Sequence, residues 1–154
     1  VTKKLSLLVL SLAALSACST SPIISDTPSV TSTDTSKAIY LRGVFNWWEA
    51  IEENRLQELS SDPGLFRTRT VEPLIADGQP YEWKFVDADW TCGSNFGHKE
   101  QSSTIELGQE VALDNCSPFN NLSFTPIEDG YYDFYLDLRN PNQAKAFIKR
   151  ADNN

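Results

Sequence analysis

Short runs of alternating side chains, punctuated by turn residues, constrain this chain more than any other feature. In Tyr81-Glu82-Trp83-Lys84-Phe85 the character switches at each step, and Val86 follows. A strand points successive side chains to opposite faces, so Tyr81, Trp83 and Phe85 share one face and Glu82, Lys84 and Val86 the other. Tyr131 to Leu138 repeats the pattern after an Asp129-Gly130 turn, with Tyr132, Phe134, Leu136 and Leu138 on one face. Ala38 to Phe45, Leu65 to Val71 (behind Asp62-Pro63-Gly64), Ile105 to Leu113, Phe119 to Thr125 and Ala144 to Lys149 (behind Asn140-Pro141-Asn142) read as further strands. Only Trp48 to Leu59 has helical character. About seven short strands at this spacing predict an all-β domain, an antiparallel β-sandwich. No internal repeat, glycine-rich phosphate loop or nucleophile elbow interrupts the series.

The N-terminus has a different logic. Lys3-Lys4 precedes a short apolar run, Leu5 to Leu15, and Leu15-Ser16-Ala17-Cys18 closes it with small residues. The run is too short to span a bilayer and reads as a signal peptide over residues 1–17. Leu-Ser-Ala-Cys resembles the lipobox of bacterial lipoproteins. That resemblance implies that Cys18 is acylated and begins the mature chain, and that several acyl chains such as palmitate give stable anchoring. Ser19, standing where an aspartate would resemble an inner-membrane retention signal, points to the outer membrane, with the leaflet left open. A start at Val1 without any Met fits a precursor read from an alternative start codon. Ser19 to Ser36 is rich in Ser, Thr, Pro and Asp and reads as a disordered tether spanning roughly 20–25 Å. Lys37 to about Arg150 is then one domain.

Charge and cysteines narrow the functions available. The net charge of -8 repels nucleic acid and anionic lipid and tolerates a neutral ligand. With Cys18 assigned to lipid, Cys92 and Cys116 remain, and export to an oxidising compartment makes a disulfide their default. Closing a loop of about 25 residues contributes about 3 kcal/mol in the chain-entropy model. His98 lies in a polar stretch and is expected to be a solvated loop residue, so no metal site is expected. No cofactor is implied.

All four tryptophans fall in two clusters, Gly43-Val44-Phe45-Asn46-Trp47-Trp48 and Tyr81 to Trp90. Alternation assigns Trp83 to the core and turns Lys84 outward. Trp90 sits in the polar loop Asp87-Ala88-Asp89-Trp90-Thr91, and Trp47 and Trp48 follow the end of a strand. Being adjacent, those two are expected to point in different directions. Pyranose rings have apolar C–H faces that lie flat on indoles, and lysine or asparagine supplies partners for the hydroxyls. Residue types alone leave open whether these tryptophans form a sugar platform or are structural.

In order along the chain, Gly43-Val44-Phe45-Asn46-Trp47-Trp48, Trp83-Lys84-Phe85, Trp90-Thr91 and Phe119-Asn120-Asn121 resemble carbohydrate-binding module family 48. That family includes the glycogen-binding domain of the AMP-activated kinase β subunit and modules of pullulanases and branching enzymes. Phe85 to Trp90 with Asn95-Phe96-Gly97 also resembles N-terminal modules of bacterial pullulanases and amylases. The resemblance covers about Ile39 to Ile148. It implies an immunoglobulin-like (E-set) sandwich that binds starch or glycogen, with Trp48 and Trp90 as stacking platforms. Lys84 and Asn120 would hydrogen-bond sugar hydroxyls. Two features depart from the family pattern. Trp47 replaces a polar residue and is a candidate third platform. The Cys92–Cys116 loop is long enough to reshape or partly cover the site.

These readings converge on a lipid-anchored, non-catalytic envelope protein that binds α-glucan, acting beside a separate amylase or pullulanase. The 154 residues leave no room for the large catalytic barrel that such modules accompany. Asp87 and Asp89 are read as solvated loop carboxylates rather than a glycosidase acid pair. The rival reading is an envelope protein–protein module, or an accessory subunit with no sugar binding of its own, whose exposed tryptophans anchor an interface.

Overall fold

The computed structural model describes residues 32–100, 104–140 and 142–152. The expected signal peptide, Cys18 and most of the expected tether lie outside the described residues. The described chain is antiparallel β throughout, apart from isolated bridges and two 3-10 turns at Val44–Asn46 and Glu52–Asn54. Nine strands form: β1 (Tyr40–Gly43), β2 (Gln57–Glu58), β3 (Leu65–Arg69), β4 (Tyr81–Val86), β5 (Asn95–His98), β6 (Val111–Asp114), β7 (Leu122–Phe124), β8 (Tyr132–Asp137) and β9 (Lys145–Arg150). Their hydrogen-bonded order is β1-β4-β5-β6-β9-β8-β3-β2, with β7 also paired to β4. The path curls so that the β4 end faces the β8 end across the core, an antiparallel β-sandwich of half-barrel form.

Two strands go beyond the seven expected. β5 was hidden because Asn95, Gly97 and His98 carry no strand propensity. It forms because β4 and β6 hydrogen-bond to it from either side. Gly97 also allows another segment to come close, since a Cβ there would lie 2.4 Å from the Asn120 carbonyl oxygen and 2.6 Å from Ser117 Oγ. The expected helical stretch after Trp48 reduces to the turn at Glu52–Asn54 and the short strand β2. The strand expected over Ile105 to Leu113 begins only at Val111.

Alternation in β4 and β8 does set the core. Trp83, Phe85, Phe134 and Leu136 are buried. Trp83 stands edge-on to Phe85 at 5.0 Å and to Phe134 at 4.8 Å, and this contact joins the two halves of the sandwich. The disulfide between Cys92 and Cys116 forms as expected. It ties the loop after β4 to the segment after β6. That segment runs alongside β5, with Ser117 N–H donating to the Asn95 carbonyl at 3.1 Å and His98 N–H to the Asn120 carbonyl at 2.9 Å. Hydrogen bonds also reach the last residues of the expected tether. Asp34 N–H donates to the Gly93 carbonyl at 3.2 Å, and Asn115 Nδ2 to Thr33 Oγ1 at 3.0 Å. The packed chain therefore starts before Lys37.

Candidate functional site

Trp48 and Trp90 come together on the outer side of β1 and β4. Their ring centroids are 6.1 Å apart at an interplanar angle of 41°. Trp48 reaches this position through the turn that ends β1. Asn46 organises that turn. Its Oδ1 accepts the Gly43 N–H at 2.8 Å, and its Nδ2 donates to the Leu41 carbonyl at 2.8 Å and to Asn54 Oδ1 at 2.9 Å. Gly43 is needed there, because a Cβ would lie 2.6 Å from the Glu82 carbonyl oxygen. Trp90 sits in the loop after β4, which Asp87 fastens by accepting the Thr91 N–H at 2.8 Å.

The backbone at these positions is unusual. Among the described residues, the only non-glycine residues at positive φ are Trp47 (55°), Trp48 (62°) and Trp90 (58°). A bulky side chain in the left-handed region is disfavoured, and such strain gathers at sites where function needs it. Among the described non-glycine residues it falls on three tryptophans alone.

One residue holds both the Trp90 ring and the Trp48 backbone and was missed in the sequence. Arg42 is buried, and its guanidinium lies 4.2 Å from the centroid of the Trp90 ring. Nε donates to the Trp48 carbonyl at 2.6 Å, and Nη1 donates to the Asp87 and Ala88 carbonyls at 2.9 and 3.1 Å. A cation over an indole face adds attraction, and burial strengthens it. Burial holds the guanidinium below its ordinary pKa, partly opposed by the Asp87 carboxylate. The signal for Arg42 was present as a lone arginine in the apolar run Ile39 to Phe45. An Arg42→Lys substitution keeps the charge but loses the planar fork. It is expected to cost about 1–3 kcal/mol of stability and to weaken the tryptophan near-ultraviolet circular dichroism. An unchanged spectrum would show that the indoles are held without the guanidinium.

The structure places three of the other expected residues, Lys84, His98 and Asp87, in buried positions where exposure was expected. Lys84 does lie on the face opposite Trp83, opposite Arg42 in the β1–β4 register. That face is covered, and Lys84 is 0% exposed rather than solvent-facing. Its Nζ donates to Asn95 Oδ1 at 3.1 Å and to the Ser117 carbonyl. The segment fixed by Cys116 thus closes over it, so the ammonium is spent inside the protein. Burial pushes its pKa down to about 8 against the pull of Asp114. Asn120 is half-buried, and its Nδ2 donates to the His98 carbonyl at 3.2 Å. His98 is not a solvated loop residue but a buried member of β5. Asp87 is likewise buried, not solvated, and pairs with Lys37 at 3.2 Å. Trp47 stands away from the pair, 87% exposed, against Trp90 at 40%. Among the described residues no cluster of His, Cys, Asp or Glu could hold a metal ion. No helix among them is long and apolar enough to cross a membrane.

Among solved structures, the chain is similar to the one titled "Ligand induced structure of AmyP-SBD", a starch-binding domain. The identity is 14%, the TM-score is 0.56, and the match covers 96% of this chain and 99% of the other. At that identity the likeness establishes the shared fold. No protein-family model matches the chain, and no curated protein is significantly similar to it in sequence.

Proposed function

We propose that this domain binds α-glucan (starch, glycogen or maltooligosaccharide) without catalysis, as a family 48-like module. The observation that carries the reading is the Trp48–Trp90 pair, locked by Arg42 on a fold shared with a starch-binding domain. Two indoles inclined at 41° offer successive pyranose rings of a curved glucan two apolar faces. The geometry changes the polar partners that the sequence resemblance implies. Lys84 is enclosed, so its ammonium is not offered at the edge of the platform. An acidic, neutral-ligand-tolerant surface suits a sugar. Acylation of Cys18 would hold the module at the bacterial envelope, at the outer membrane, beside a separate amylase or pullulanase that uses the captured glucan.

Calorimetry of the protein with maltoheptaose tests the reading. Binding in the millimolar to micromolar range is expected, and Trp90→Ala should weaken it at least tenfold, about 1.4 kcal/mol. No heat with any α-glucan at millimolar ligand would overturn it. Recovery of a stoichiometric protein partner without glucan retention would put the interface reading in its place.

A further inference from the structure

Trp47 opens a second surface. Trp47 and Trp48 are consecutive left-handed residues, and their indoles part company. Trp48 meets Trp90, whereas Trp47 forms one wall of a separate groove with a volume of about 440 Å³. Tyr81, Val71 and Pro73 contribute apolar surface to that groove, and Glu49 and Glu72 stand at its edge. Pockets for small ligands begin at about 300 Å³ and combine apolar walls with a few placed polar groups.

The groove is built rather than incidental. Asn54, which is 1% exposed, is held in its floor. Its Oδ1 accepts from Asn46 Nδ2, and its Nδ2 donates to the Arg69 carbonyl at 3.1 Å. Asn46 is the residue that shapes the turn presenting both tryptophans, so one asparagine pair positions the groove floor and both indoles. Tyr81 is fixed as well, its hydroxyl accepting the Ile75 N–H at 3.1 Å and its ring 6.3 Å from Phe45. Glu49 and Glu72 make no ion pair or side-chain hydrogen bond among the described residues, so their carboxylates are free to accept from ligand hydroxyls.

We infer that the Trp47–Tyr81 groove is a second glucan subsite, separate from the Trp48–Trp90 platform. The inference rests on the glucan-binding reading and extends it to two sites on one domain. The walls choose the ligand: a neutral molecule with an apolar face for the Trp47 indole and hydroxyl donors for two unpaired carboxylates. A pyranose unit meets both requirements, and the two carboxylates repel an anionic ligand. Two separate sites on one domain suit a polysaccharide, where the second contact becomes intramolecular and raises retention with no further bond type.

Titration of the protein with maltotriose, followed by the indole N–H resonances and by calorimetry, tests this. The wild-type protein should take up about two ligands, with the Trp47 resonance and the Trp48 and Trp90 resonances following separate curves. Trp47→Ala should reduce the stoichiometry to about one and lower retention in glycogen gels about tenfold or more. The Trp48 and Trp90 responses should stay unchanged. Trp47 is mostly exposed, so its removal does not threaten folding. If Trp48 and Trp90 respond while Trp47 does not, and Trp47→Ala keeps full retention, the second subsite is wrong and the first stands. If no indole responds to any α-glucan, the underlying glucan reading fails as well.

Discussion

Replacing Trp83 by alanine is expected to cost about 3–5 kcal/mol of stability in urea unfolding, the largest effect of any single substitution considered. The indole is 0% exposed and bridges the sandwich, edge-on to Phe85 on its own strand and to Phe134 on β8. Its removal deletes both aromatic contacts and leaves a cavity where the two halves meet. Domains of this size are stable by only about 5–15 kcal/mol, so the loss is a large fraction of the total. Trp83→Phe separates packing from polarity. The Trp83 Nε1 donor is buried without a hydrogen-bond partner among the described residues, a cost that phenylalanine removes. A clearly smaller loss is expected for Trp83→Phe than for Trp83→Ala. A change within about 0.5 kcal/mol for Trp83→Ala, typical of surface positions, would refute the core role.

The second large effect concerns Lys84 and runs with pH. Its folded pKa is pushed down to about 8 by burial, below the unfolded value of 10.5. Below pH 8 the ammonium is charged in both states, and its full burial cost is present. Between about 8 and 10.5 the unfolded chain binds the extra proton, so stability rises with pH. Above 10.5 both states are neutral and the gain is complete. The shift corresponds to about 3 kcal/mol. Lys84→Met keeps most of the stem and cannot titrate. Subtracting its urea-unfolding free energies from those of the wild-type protein removes the other titrating groups. The difference should move in favour of the wild-type protein by up to about 3 kcal/mol between roughly pH 7 and pH 11. A difference independent of pH would mean that the ammonium remains solvated.

Lys84 also shows where reading a sequence stops. Period-two alternation placed it on the face opposite Trp83, and the β1–β4 register agrees. Alternation says which face a residue takes, not what lies over that face. The cover comes from Ser117, more than thirty positions along, brought there by the Cys92–Cys116 bond and the run of the chain beside β5. His98 and Asp87 fail in the same way. Both are polar residues in polar surroundings by sequence, and both are buried because distant segments close over them. Arg42 is the converse case. Its presence in an apolar strand was visible, but its three carbonyl partners come from loops separated along the chain.

The sequence by itself determined the all-β class, the burial of Trp83 and the pairing of Cys92 with Cys116. Those features follow from local periodicity, turn chemistry and a cysteine count, all of which act over a few residues or need no geometry. Only the tertiary structure decided that Trp48 and Trp90 meet, that Arg42 lies against the Trp90 ring, that Lys84 is enclosed and that Trp47 lines a groove of its own. Each depends on the distance between loops far apart in the chain, and that distance is set by strand register and by which segment packs over which face.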